Sequence, residues 1–163
     1  KLKNNIMEAI NYKNILLNTA VCAIACDGDI DAREIDALKN IEKNSPYFSS
    51  QDLSETLEKS LKKCSLNVIK FQKSIFSDIK KAKLNLLQEL TLMEISLRII
   101  AADKIEEDSE REFIVSLRKC LNISDLILFQ RFGKIEYLGL LDFEQNFTGF
   151  KKPEDNSSQL ETK

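Results

Sequence analysis

Apolar residues along this chain recur at the spacing of one face of an α-helix. The first such run predicts a helix over about Asn11–Cys26, with Ile15, Leu16, Ala20, Val21, Ala23 and Ile24 inward. Gly28 lies just past its end, where a left-handed cap residue is favoured. A second helix begins near Asp31, carries Ile35, Leu38 and Ile41 on one face, and stops at Asn44-Ser45-Pro46. Ser49 or Ser50 caps a third, through Leu53, Leu57 and Leu61. A fourth covers roughly Ser65–Lys81, its core side being Val68, Ile69, Phe71, Ile75 and Phe76. The fifth, Leu84–Ala102, is apolar over so wide an arc that it is expected to be the central, most buried helix. The sixth runs from about Ser109 to Cys120, with Phe113, Ile114 and Leu117 inward, and a short seventh follows Ser124. The pattern weakens after about Tyr137. The segment LGLLDFEQNF is apolar enough to dock on the domain itself or on a partner, and KKPEDNSSQLETK has the composition of a disordered tail. Residues 1–136 are thus expected to form one helical domain and 137–163 a partly disordered extension.

Two of these stretches repeat each other without gaps. AIACDGDIDAREIDALKNI, from Ala23, aligns with IIAADKIEEDSEREFIVSL, from Ile99, at an offset of 76 residues. Ile24 pairs with Ile100, Asp27 with Asp103, Glu34 with Glu110, Leu38 with Ile114, and Ile41 with Leu117. Each copy reads as an apolar helix, an acidic turn, then an amphipathic helix. Two such hairpins face to face predict an all-α, pseudo-symmetric bundle of about seven helices.

Composition sharpens that picture. Four glycines and two prolines in 163 residues are too few for the many turns of a β-fold. A net charge of −2 and a pI near 5.4 leave no overall footprint for nucleic acid. The absence of histidine excludes a histidine triad, a His-ligated zinc and a histidine base. Cys22, Cys26, Cys64 and Cys120 form no CxxC pair and read as free, buried thiols, which points to a reducing, cytoplasmic setting. No apolar stretch is long enough to span a bilayer. The lysine runs Lys59–Lys63 and Lys80-Lys81-Ala82-Lys83 read as solvated helix faces able to meet an acidic partner.

The chemistry of the chain gathers in the two acidic turns. Asp27, Asp29 and Asp31 alternate like the start of a calcium loop. An EF-hand, however, requires glycine at loop position six and glutamate at twelve, and Ala32 and Leu38 stand there. Capping explains part of the pattern: Asp31 with Glu34, and Ser109 with Glu112, have capping-box spacing. Capping does not explain why Asp27 and Asp103 both sit at a helix C-terminus, where a carboxylate meets the negative end of the dipole. Each calls for a partner: a cation, Arg33 or Lys104, or amides of the next helix. Asp27, Asp31, Glu34, Asp103 and Glu110 together form a candidate divalent site whose hard oxygen donors suit Ca²⁺, Mg²⁺ or Mn²⁺. A carboxylate-based hydrolase is the remaining reading, without a recognisable nucleophile to support it.

Ala25-x-Asp27-Gly28-x-Ile30-x-x-x-Glu34, followed one repeat later by Ala101-Ala102-Asp103, by Glu110-Arg111-Glu112-Phe113-Ile114 and by Leu121-Asn122-Ile123, resembles the TerB-like family, which includes tellurite-resistance proteins and domains of membrane-anchored co-chaperones. The resemblance spans roughly Asn11–Phe132. It implies an all-α fold of about seven helices with the acidic turns on one face. It further implies a non-enzymatic, metal-sensing or partner-binding module of stress-response or defence systems. The second copy departs from the family pattern: Asp103-Lys104-Ile105 lacks the glycine and brings the isoleucine one position early. The expected function is that of an interaction or sensor component with a protein partner. The alternative is a metal-free adaptor docking through its C-terminal segment.

Overall fold

The computed structural model describes residues 2–44, 48, 54–102 and 107–140, with side chains from Tyr12 onward. Those residues form seven α-helices: α1 (Leu2–Ile24), α2 (Ala32–Asn44), α3 (Ser54–Leu66), α4 (Val68–Lys81), α5 (Leu86–Ile100), α6 (Asp108–Arg118) and α7 (Asp125–Phe132). A 3₁₀ turn, Glu136–Leu138, follows, and no strand occurs among the described residues. The all-α expectation is met.

Helix boundaries follow local capping chemistry. Asn67, not Ser65, opens α4 by accepting from the Lys70 amide at 2.9 Å, and Ser65 belongs to the end of α3. Asn85 and Gln88 open α5 with a reciprocal capping box, both bonds 3.0 Å. Ser124 caps α7, and Gly133, at φ +74°, ends it in the left-handed half of backbone space. The stop at Ser45-Pro46 and the caps at Ser49 or Ser50 lie outside the described residues, although α2 does end at Asn44.

Helix α1 starts nine residues earlier than its apolar pattern indicates and occupies the middle of the bundle. It packs against α2, α3, α4, α5 and α6. Leu16 and the run Ala20–Ile24 are completely enclosed. This corrects the expectation that α5 is the most buried helix. The small side chains Ala20, Cys22 and Ala23 let neighbours approach α1 from every side. The bulkier α5 instead turns Leu86, Leu87 and Arg98 outward.

The two repeated hairpins, α1–α2 and α5–α6, share this core. α1 lies along α5, α2 packs on α5, and α6 touches α1. The paired positions Ile24/Ile100, Leu38/Ile114 and Ile41/Leu117 are all buried. α3 and α4 flank α1, and Phe76 of α4 stacks on Phe113 of α6 with ring centroids 5.9 Å apart. The chain beyond α7 is held as far as Leu140: the 3₁₀ turn packs on α6, and Tyr137, Leu138 and Leu140 lean on the core. No helix is long and apolar enough to cross a membrane among the described residues.

Candidate functional site

The first acidic corner is a short connection between a buried helix end and a surface helix. The Gly28 amide closes the last turn onto the Ala25 carbonyl at 3.1 Å. Gly28 then takes φ +92°, a conformation side-chain-bearing residues rarely adopt. Asp27 Oδ1 accepts from the Asp29 amide at 2.9 Å, so its negative charge meets a free amide of the turn rather than only the helix dipole. The partners expected for this residue are a cation, Arg33 or Lys104, or amides of the next helix; the amide it meets belongs to the turn ahead of α2, and Arg33 pairs with Asp31 instead. Asp27, Asp29 and Ile30 remain in solvent.

Asp31 is the N-cap of α2. Its Oδ1 accepts from the Arg33 amide at 2.7 Å. The Arg33 guanidinium folds back onto the same carboxylate, Nε at 3.0 Å from Oδ1 and Nη2 at 2.6 Å from Oδ2. These bonds, the side-chain ones first and then the amide, hold the Asp31 carboxyl down at about 2. Both of its oxygens are committed to Arg33.

Glu34 and Glu110 occupy the same place in the two copies, in the first turn of α2 and of α6, and both are buried, at 4% and 3% exposure. Glu110 Oε2 accepts from the Glu107 amide at 2.7 Å. The capping pair of α6 is therefore Glu107 with Glu110, not Ser109 with Glu112. The helix begins at Asp108, so Ser109 is already inside it. No buried side-chain nitrogen or oxygen among the described residues lacks a partner, Glu34 included.

Carboxylates from α6 and from the first corner act together on Cys26. This half-buried thiol donates to the Ala23 carbonyl at 3.1 Å. Its pKa is pushed up to about 12, by burial first, then by Glu110, Asp27 and Glu34 in that order. Carboxylates from both repeats thus act on one sulfur at one end of α1. Cys22, Cys64 and Cys120 are free and buried, and burial raises their thiols too.

Of the five candidate metal ligands, four are described. Asp27 is exposed, Asp31 is paired with Arg33, Glu110 serves a cap amide, and Glu34 is buried. Asp103 lies outside the described residues. No three carboxylate or thiol side chains among the described residues are arranged to hold a metal ion. Two features escaped the sequence reading. Buried Glu89 on α5 clamps the turn after α6, accepting from the Asn122 amide at 2.9 Å and from its Nδ2 at 3.0 Å. The second is a groove between α3 and α4 of mixed character, lined by Lys63, Lys70 and Asp78 together with Leu66, Phe71 and Ile75 among others.

Comparison with protein-family models, with curated proteins and with solved structures finds no match to this chain.

Proposed function

We propose that the chain is a non-enzymatic, TerB-like interaction module that offers its acidic corner, Asp27–Asp31, to a cationic segment of a partner protein. The family resemblance places such a module in a stress-response or defence setting. One observation carries this reading: the corner is exposed yet locked. Gly28, the Asp27–Asp29 bond and the Asp31–Arg33 pair fix its backbone, while Asp27, Asp29 and Ile30 face solvent. A preformed surface of that kind binds with little ordering cost. The alternative docking element at the C-terminus is less favoured, because Leu138 and Leu140 already lean on the domain's own core.

Anisotropy titration with short Lys/Arg-rich peptides tests the reading. Binding that weakens with salt and is lost in Asp27→Asn/Asp29→Asn supports it, and equal binding by wild type and the double variant overturns it. A metal-loaded form of the same corner would need Asp103 beside Asp27, since Asp31 and Glu110 are otherwise engaged. Calorimetry with Ca²⁺, Mg²⁺ and Mn²⁺ separates the two versions: ion-binding heat that disappears in Asp27→Asn assigns the cation to this corner.

A further inference from the structure

The basic charge of this acidic chain is concentrated. Residues 54–83 hold eight lysines against three carboxylates, a local net charge of +5 in a chain whose total is −2. Those residues are the α3–α4 hairpin and the linker that follows it. At its corner stand the two most exposed large apolar side chains among the described residues, Leu66 at 81% and Ile69 at 66%.

Helical spacing puts charge beside them. Lys62 and Lys63 precede Leu66 by four and three residues, and Lys73 follows Ile69 by four, so each shares a helix face with its apolar neighbour. All three lysines are exposed. Behind the corner, the groove between the two helices has a volume of about 580 Å³. Lys63 of α3 and Lys70 of α4 line it together with Leu66, Phe71 and Ile75, and Asp78 is its one carboxylate.

This surface differs from a peptide groove in how far its apolar side chains stand out into solvent. A peptide site buries apolar anchors in an apolar cleft and keeps charge on the rim. Here Leu66 and Ile69 stand largely in solvent, and the cleft beside them mixes Lys63 and Lys70 with apolar lining from Leu66, Phe71 and Ile75. Protruding aliphatic side chains ringed by lysines suit an interface that is hydrocarbon within and anionic at its surface. We propose that the α3–α4 corner docks peripherally on an anionic phospholipid membrane, with Leu66 and Ile69 entering the acyl boundary and Lys62, Lys63, Lys70 and Lys73 meeting headgroup phosphates. This surface is separate from the acidic corner and holds whether or not that corner binds a protein.

Co-sedimentation of the full chain with phosphatidylcholine vesicles, with and without phosphatidylglycerol, tests the assignment. Binding is expected only to the anionic vesicles and should fall at high salt. Each lysine near such a surface contributes about fivefold in partitioning, so Lys62→Ala/Lys63→Ala/Lys70→Ala should lose about a hundredfold. Leu66→Ser/Ile69→Ser should also lose binding, although both residues are exposed and the circular dichroism of the chain should not change. Equal sedimentation with both vesicle types, or triple and double variants that sediment like wild type, overturns the proposal. So does the absence of vesicle binding coupled with capture of a glutamate-rich peptide that the lysine variant loses, which would assign the surface to an acidic protein segment.

Discussion

Glu34 and Glu110, 76 positions apart in the sequence, both bear on a single sulfur atom, that of Cys26. The relationship arises because α2 and α6 each begin with a buried glutamate and both helices pack close to the end of α1. Burial of three separate carboxylates, Glu34, Glu89 and Glu110, is costly unless each is hydrogen-bonded. Glu110 accepts from the Glu107 amide and Glu89 from Asn122.

The Cys26 thiol reports this arrangement chemically. Because the thiolate is the nucleophile, a raised pKa slows alkylation. Removing a neighbouring negative charge should lower that pKa and speed the reaction. The acceleration should be largest for Glu110→Gln, smaller for Asp27→Asn and smallest for Glu34→Gln. Iodoacetamide labelling read by peptide mass spectrometry checks this, since Cys22, Cys64 and Cys120 lie in separable or buried positions. Equal rates in all four proteins would mean that these three carboxylates do not act on Cys26.

The repeat made much of this arrangement legible. Its aligned apolar pairs are buried in both copies, and its aligned glutamates fall at equivalent helix starts. What it did not show depends on partners distant in sequence. Ile69 reads as inward from its apolar neighbours, but Phe71, Ile75 and Ile79 set the buried arc of α4, and Ile69 lies opposite them. Glutamate is a poor N-cap, so propensity pointed to Ser109. The reach-back from Glu110 decides otherwise. The role of Glu89 depends on an amide 33 residues away, which no local pattern records.

Asp31 gives the corner a pH dependence. Its carboxyl is held at about 2, below the ordinary value of 3.8, so ionisation favours the folded state. That contribution is complete above about pH 4 and is lost as pH falls toward 2. Asp31→Asn keeps an acceptor for the Arg33 amide but loses the pairing with the guanidinium. The variant should therefore be less stable than wild type at neutral pH, with the gap closing between about pH 4 and pH 2. Thermal melts across that range measure it, and a gap independent of pH would refute the pairing.

Gly28 should tolerate little. A Cβ there meets no atom within 4 Å, so space is not the obstacle, and the left-handed φ of +92° is. Gly28→Ala is expected to cost about 1–2 kcal/mol by denaturant titration, while Gly28→Asn should cost less because asparagine accepts that region more readily. A neutral alanine variant would mean that the turn relaxes, and would remove the preformed corner on which partner docking depends.

The Glu89–Asn122 clamp supplies the most direct measure of how the second hairpin is closed. Glu89 accepts two hydrogen bonds from one residue, and both partners are held between α5 and the turn leading to α7. Hydrogen bonds to a charged group contribute about 1.5–3 kcal/mol, and removing the acceptor leaves the Asn122 amide without it. Glu89→Ala should therefore cost about 3 kcal/mol. Asn122→Ala removes only the side-chain bond and keeps the amide, so it should cost less. In the double variant the costs should fall short of additive by about 1 kcal/mol or more, the signature of a direct pair. Additive losses would show that Glu89 is stabilised by its surroundings on α5 alone, and that the turn after α6 is fixed instead by Arg118, which donates to the Leu121 carbonyl at 3.2 Å and to Asp125 at 2.9 Å.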